Sequence, residues 1–188
     1  MKMTSDKLIF GIALLAGFTL VLAQPAYTRA TRPSPARVSM LIANIGVSEQ
    51  IKPEQLAELS ERGFDTVIDL RPDGEAIGQA PSEAVAKAAR ENRMSFAYVP
   101  VPHGEIPETA IAGLDKALGD GHGRVLLYCR SGRRAARTWG LVEASRPGGL
   151  DGRAILAAIR ASGQTADDLA DKIAQRIAHR SLIGEQAQ

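Results

Sequence analysis

Residues 124–135 read Arg124-Val125-Leu126-Leu127-Tyr128-Cys129-Arg130-Ser131-Gly132-Arg133-Arg134-Ala135. After Arg124 the run holds nothing strongly polar before the cysteine, which is the signature of a strand buried on both faces. The next residues are small or basic, and an Ala-rich stretch from Arg133 to Ser145 predicts a helix. A buried strand that feeds a short polar loop and then a helix aims successive backbone N–H groups into that loop. With the positive end of the helix, they make an anion nest. The same field stabilises negative charge on the Cys129 sulfur and so makes it nucleophilic. Gly132 permits a backbone turn that a Cβ would obstruct. Arg130, Arg133 and Arg134 add positive field and can grip an oxyanion through paired contacts. The plainer reading is a buried strand-end cysteine acting as a small hydrophobe beside a solvated helix start. The clustering of Gly132 with the three arginines favours a reactive thiol.

Moving outward, the chain alternates strand and helix. Ser95–Val101 (SFAYVPV) and Thr66–Leu70 read as strands, the first ending near Pro100 and the second stopped by Arg71-Pro72-Asp73-Gly74. Val38–Ile45 reads as a first strand or hairpin. Pro53 opens a helix that runs to about Arg62, and Gly63 closes it. Further helices are predicted over 82–92, 107–118, 151–161 and from Thr165 to about His179. In the last of these, Leu169, Ile173 and Ile177 form one apolar stripe for packing on the domain. Apolar strands separated by helices imply an α/β fold, with a central, mostly parallel sheet covered by helices on both faces.

Composition bounds the rest. The chain has 188 residues, 45% hydrophobic and 23% charged, with 23 Lys+Arg against 21 Asp+Glu. That is an ordinary globular balance, and a net charge of +2 without a basic run argues against a nucleic-acid partner. A single cysteine excludes an intramolecular disulfide and any zinc site built from several thiolates. The three histidines show no metal-ligand spacing, and no nucleotide or cofactor fingerprint appears, so no metal and no cofactor are expected. Lys2 and Lys7 precede the charge-free run Leu8–Ala23, which is shorter than the ~20 residues that span a bilayer core. Val21-Leu22-Ala23 suits signal peptidase. Residues 1–23 are therefore expected to be a secretory signal, or failing cleavage an inner-membrane anchor, and the remainder to be exported, as into a periplasm. Residues 24–36 hold three prolines and read as a linker. Residues 37–182 form the catalytic domain and 183–188 a tail. In an exported chain an odd cysteine points to a free reactive thiol or an intermolecular link.

Three ordered blocks, GFDTVIDLRPDGE (63–75), FAYVPV (96–101) and VLLYCRSGRRAARTW (125–139), resemble the phosphatase-like domain of the beta-lactamase hydrolase-like proteins. That family is related to the dual-specificity phosphatases. The resemblance implies a compact phosphatase-type α/β fold, Cys129 as nucleophile and Arg134 as the anion-binding arginine. One departure bears on the chemistry. Tyrosine and dual-specificity phosphatases place five residues between Cys and Arg, whereas four separate Cys129 from Arg134. The shorter loop is similar to that of rhodaneses, which hold a persulfide.

Two chemistries follow, each with a small anionic partner. In a phosphatase, Cys129 attacks phosphorus, while the loop amides and Arg134 stabilise the transition state. A general acid then protonates the leaving oxygen. By resemblance that acid lies in the loop Pro102–Ile106, with Glu105 or His103 as candidate and Asp69 as the second choice. Both loop residues also read as an ordinary exposed polar loop. Arg71 and Glu75 either edge the pocket with Asp69 or form a structural ion pair. In a sulfurtransferase, Cys129 carries a sulfane sulfur and no acid is needed. A third reading makes Cys129 a reversible redox sensor in a non-catalytic module.

Overall fold

A computed structural model describes residues 33–186. The leader and most of the linker lie outside the described residues. The compact unit begins at Pro35. Its five strands are β1 (Val38–Ile42), β2 (Ile45–Ser48), β3 (Phe64–Asp69), β4 (Ser95–Tyr98) and β5 (Arg124–Tyr128). They form one sheet in the order β1-β2-β5-β3-β4. The N-terminal pair is an antiparallel hairpin, and every other pairing is parallel. The most apolar strand, β5, therefore sits at the centre of the sheet.

Among the described residues six α-helices pack around this sheet: α1 (Leu56–Glu61), α2 (Ser82–Glu91), α3 (Glu108–Asp120), α4 (Arg133–Ser145), α5 (Gly152–Ala161) and α6 (Ala170–Gln186), the last of them lying on α4 and α5. Side chains alternate across a strand, so β5 feeds two cores. Val125, Leu127 and Cys129 face the larger one, with Leu114 of α3, Trp139 of α4, Ile155 and Ile159 of α5 and Ile173 of α6. Leu126 and Tyr128 face the smaller one, with Leu56 and Leu59 of α1 and Val85 and Ala89 of α2. The α/β architecture with helices on both faces is thus the one expected.

Several boundaries differ from the sequence reading for local reasons. The strand expected to run to Val101 stops at Tyr98: beyond it the Val99 and Val101 N–H groups still donate to the Asp69 and Leu70 carbonyls, while the Arg71 N–H turns to Asp69 Oδ1. The helix expected from Pro53 opens as a 3-10 turn over Pro53–Gln55 and becomes α-helical at Leu56. The last helix likewise starts with a 3-10 turn at Asp167–Leu169 and continues past His179 to Gln186, into the expected tail. Phe64 adds an irregularity: the register against β5 shifts between Phe64 and Thr66. The shift lets Phe64 and Val67, three positions apart, pack into the same core.

Candidate functional site

The centre of the sheet delivers Cys129 to its C-terminal edge, where ligands of open α/β sheets bind. Only 1% of Cys129 is exposed. It lies at a cavity of about 370 Å³ shared with His103, Arg130, Ser131, Arg133, Arg134 and Arg137. After Cys129 the chain bends through Arg130 and Ser131 to Gly132, which caps α4 with φ of +85°. This left-handed turn is the reason for glycine at 132. An added Cβ would stand 3.1 Å from Gln164 Nε2 and 3.3 Å from the Ser48 carbonyl oxygen. The loop is pinned on both sides: Gln50 N–H donates to the Arg130 carbonyl at 3.4 Å, and Gln164 Nε2 donates to the Ser131 carbonyl at 3.1 Å.

Arg134 reaches back across the sheet edge. Its two terminal nitrogens donate to the two oxygens of Glu75 at 2.7 and 3.1 Å, and it also donates to the Val101 carbonyl. The Arg71 Nε donates to the same carboxylate at 3.0 Å, and Arg71 Nη1 donates to Gln50 Oε1 at 2.8 Å. His103 Nε2 lies 3.5 Å from Glu75 Oε1. Hydrogen bonding from Arg134 holds the Glu75 carboxyl below the usual carboxylate range, with Arg71 adding to the effect against an opposing push from burial. Glu75 is therefore an anion at neutral pH. It is a counter-ion to Arg134, not a proton donor.

The acid candidates separate clearly. His103 lines the cavity, with its side chain 69% exposed. Glu105 does not line it. Its carboxylate is 87% exposed and turns to Lys172 of α6 at 3.4 Å. Asp69 and Arg71, expected as a possible pocket edge, do not line the cavity. Asp69 is buried at the end of β3, and its Oδ1 accepts the Arg71 N–H at 2.8 Å. Burial raises Asp69 to about 6, partly offset by Tyr128 and the Arg71 amide. The Tyr128 phenol faces Asp69 without completing hydrogen-bond geometry. Burial, and then the neighbouring Asp69, push that phenol far above its ordinary range. Arg71 reaches the site through two neighbours, Glu75 and Gln50.

Some members of the site were not singled out from sequence. Arg137 follows Arg133 by one helical turn, so its position on the same face could have been read. It holds Asp168 with both nitrogens at 2.5 and 2.6 Å. Hydrogen bonding from Arg137 lowers Asp168 to about 2. Nothing local in the sequence marks Gln164 or Asp168. Among the described residues, no three His, Cys, Asp or Glu gather as metal ligands. A larger cavity of about 650 Å³ lies between β4 and α3, but its charged groups, Lys116 and Asp120, pair with each other and it holds no thiol. Chemistry therefore favours the smaller one.

Residues 37–146 match the family described as "Beta-lactamase hydrolase-like protein, phosphatase-like domain". The beta-lactamase hydrolase-like protein of Xylella fastidiosa is 32% identical over 117 residues, covering 62% of this chain and 26% of that protein. Its counterpart in Agrobacterium fabrum is 34% identical over 107 residues, covering 57% and 24%. The chain thus spans about a quarter of the length of these curated relatives. Among solved structures, a candidate phosphatase of Neisseria meningitidis aligns with a TM-score of 0.64 at 22% identity, over 73% of this chain and 96% of that one. At that identity the likeness is one of fold.

Proposed function

The chain belongs to the family of the beta-lactamase hydrolase-like protein, phosphatase-like domain, and from that premise we propose a cysteine-dependent phosphatase-like hydrolase with Cys129 as nucleophile. The observation that carries the reading is the seat of Cys129, on the last turn before a helix N-terminus, in a cavity lined by four arginines and His103. The Cys129 thiolate attacks phosphorus and the bond to the ester oxygen breaks. That oxygen takes a proton from His103, the one acid candidate that lines the cavity. The loop amides and Arg134 hold the equatorial oxygens as charge builds on them. Water then attacks the phosphocysteine, releases phosphate and restores the thiolate. Glu75 keeps the Arg134 guanidinium oriented throughout.

A second reading, sulfur transfer, draws on a specific observation. No carboxylate lines the cavity, and the Cys-to-Arg spacing is one residue short of the phosphatase pattern. In that chemistry Cys129 attacks the outer sulfur of thiosulfate and sulfite leaves. The persulfide then yields its outer sulfur to a nucleophile such as cyanide, giving thiocyanate. No leaving oxygen needs a proton.

One preparation tests both. Hydrolysis of p-nitrophenyl phosphate that vanishes in Cys129→Ser supports the first reading, and a wild type without such turnover sinks it. Thiocyanate production, with a mass gain of one sulfur at Cys129, would establish the second. Neither turnover, with reversible oxidation confined to Cys129, would leave a redox module.

A further inference from the structure

The cavity around Cys129 is more cationic than one reacting anion needs. Two of its four guanidiniums already have acidic partners: Arg134 pairs with Glu75, which it shares with Arg71, and Arg137 pairs with Asp168. The side chains of Arg130 and Arg133 make no hydrogen bond or ion pair among the described residues, although both line the cavity. Arg133 acts on Asp168 only as a more distant charge. The carboxylate of the 102–106 loop, Glu105, is drawn off by Lys172. Two unneutralised arginines therefore stand at one mouth, on either side of the Ser131-Gly132 bend. Gln164 pins that bend from behind, so both side chains spring from a fixed base. The volume, about 370 Å³, falls in the range of sites that take whole small molecules and not a lone oxyanion.

We infer that the substrate carries a second anionic group, held at the mouth by Arg130 and Arg133 while the reacting group sits over Cys129. The inference rests on the reading of Cys129 as the nucleophile, and it holds for a phosphate ester or a sulfane-sulfur donor alike. Loop amides and Arg134 serve the reacting centre. Arg130 and Arg133 select a compound with two separated negative charges over one with a single charge. Because both arginines are exposed, salt must weaken the selection.

Calorimetric titration of the whole chain with unreactive phosphonates tests this. The ligands are methylphosphonate and the methylene-, ethylene- and propylene-bridged diphosphonates. At about 50 mM salt, at least one diphosphonate should bind about tenfold tighter than methylphosphonate, a gap that shrinks at about 500 mM. The double variant Arg130→Gln/Arg133→Gln should lose about tenfold in diphosphonate affinity and distinctly less for methylphosphonate. The charge-preserving Arg130→Lys/Arg133→Lys pair should keep most of the preference, and it serves if the glutamine pair does not fold. Equal wild-type affinities, or equal losses for both ligands in the glutamine variant, overturn the inference. Diphosphonate preference without cysteine-dependent turnover would sink the nucleophile reading and leave the subsite standing. Turnover without preference would do the reverse.

Discussion

Glu75 holds Arg134 with both carboxylate oxygens, at 2.7 and 3.1 Å, and its Oε2 also accepts from Arg71 Nε at 3.0 Å. One anion thus fixes two nearly buried arginines, and one of them, Arg134, lines the Cys129 cavity. Replacing Glu75 by Gln leaves both guanidiniums short of a counter-charge. Breaking such a pair is costly because the remaining ion stays buried. The variant should lose about 2–4 kcal/mol, read as a lower urea midpoint at unchanged slope. The sign with pH follows from the depressed carboxyl. Its stabilisation is present above the ordinary value of 4.5 and vanishes as pH falls through the lowered folded value. Wild type and Glu75→Gln should therefore converge in stability on the acid side.

Asp69 behaves in the opposite sense. Its folded value is raised from 3.8 to about 6, so the folded state holds the proton more tightly. Stability is lost as pH rises through that window, and the penalty is complete above it. Asp69→Asn keeps an oxygen for the Arg71 amide and removes the buried charge. It should be more stable than wild type at pH 7, by up to about 3 kcal/mol, with the gain fading to nothing below about pH 4. Urea titrations across that range decide it. A gain that does not change with pH would refute the assignment.

Gly132→Ala puts a Cβ at a φ of +85° and against Gln164 and Ser48. The left-handed backbone alone costs about 1–2 kcal/mol for an L residue. The larger effect falls on the loop, since the chain must shift where, in the proposed mechanism, its amides face the reacting anion. Turnover at Cys129 should drop at least tenfold while the protein remains folded by circular dichroism. Activity close to wild type would show that the loop tolerates a different turn.

Asp168 neutralises Arg137 from an exposed position. Exposed pairs contribute about 0.2–1 kcal/mol, so Asp168→Ala should hardly move the melting temperature. It frees one more guanidinium at the cavity. Affinity for orthophosphate should rise several-fold at low salt and return toward wild type at high salt. Unchanged affinity in dilute buffer would mean that Arg137 does not face the bound anion.

Legibility in the sequence followed the range of the interaction. The strand-to-helix junction at Gly132-Arg133 was readable because apolar run, glycine and helix start lie next to each other. The helix boundaries of α4 needed only local pattern. The shift at Phe64 was invisible, since a break in alternation there does not reveal which face each residue takes. Glu75 and Arg71, four apart, suggested an ion pair. The bond from Glu75 to Arg134 crosses 59 residues and leaves no local trace. Glu105 was a candidate by loop position, and only the fold brings Lys172 to it from 67 residues away. The site's centre was written locally, and its counter-ions were not.

The match to the family ends at residue 146, yet Gln164, Asp168 and Lys172 all lie beyond it and all act on the Cys129 site or its flanking loop. Ile155, Ile159, Ala166 and Ile173 close the same core that holds Trp139 and Cys129. The inherited module and the cooperative folding unit therefore have different borders. A fragment cut at the family border would uncover Trp139 and release the back of the Ser131 turn together. Grafting this centre onto another scaffold, or comparing its rates with those of relatives, requires the stretch from 152 to 177 to travel with it.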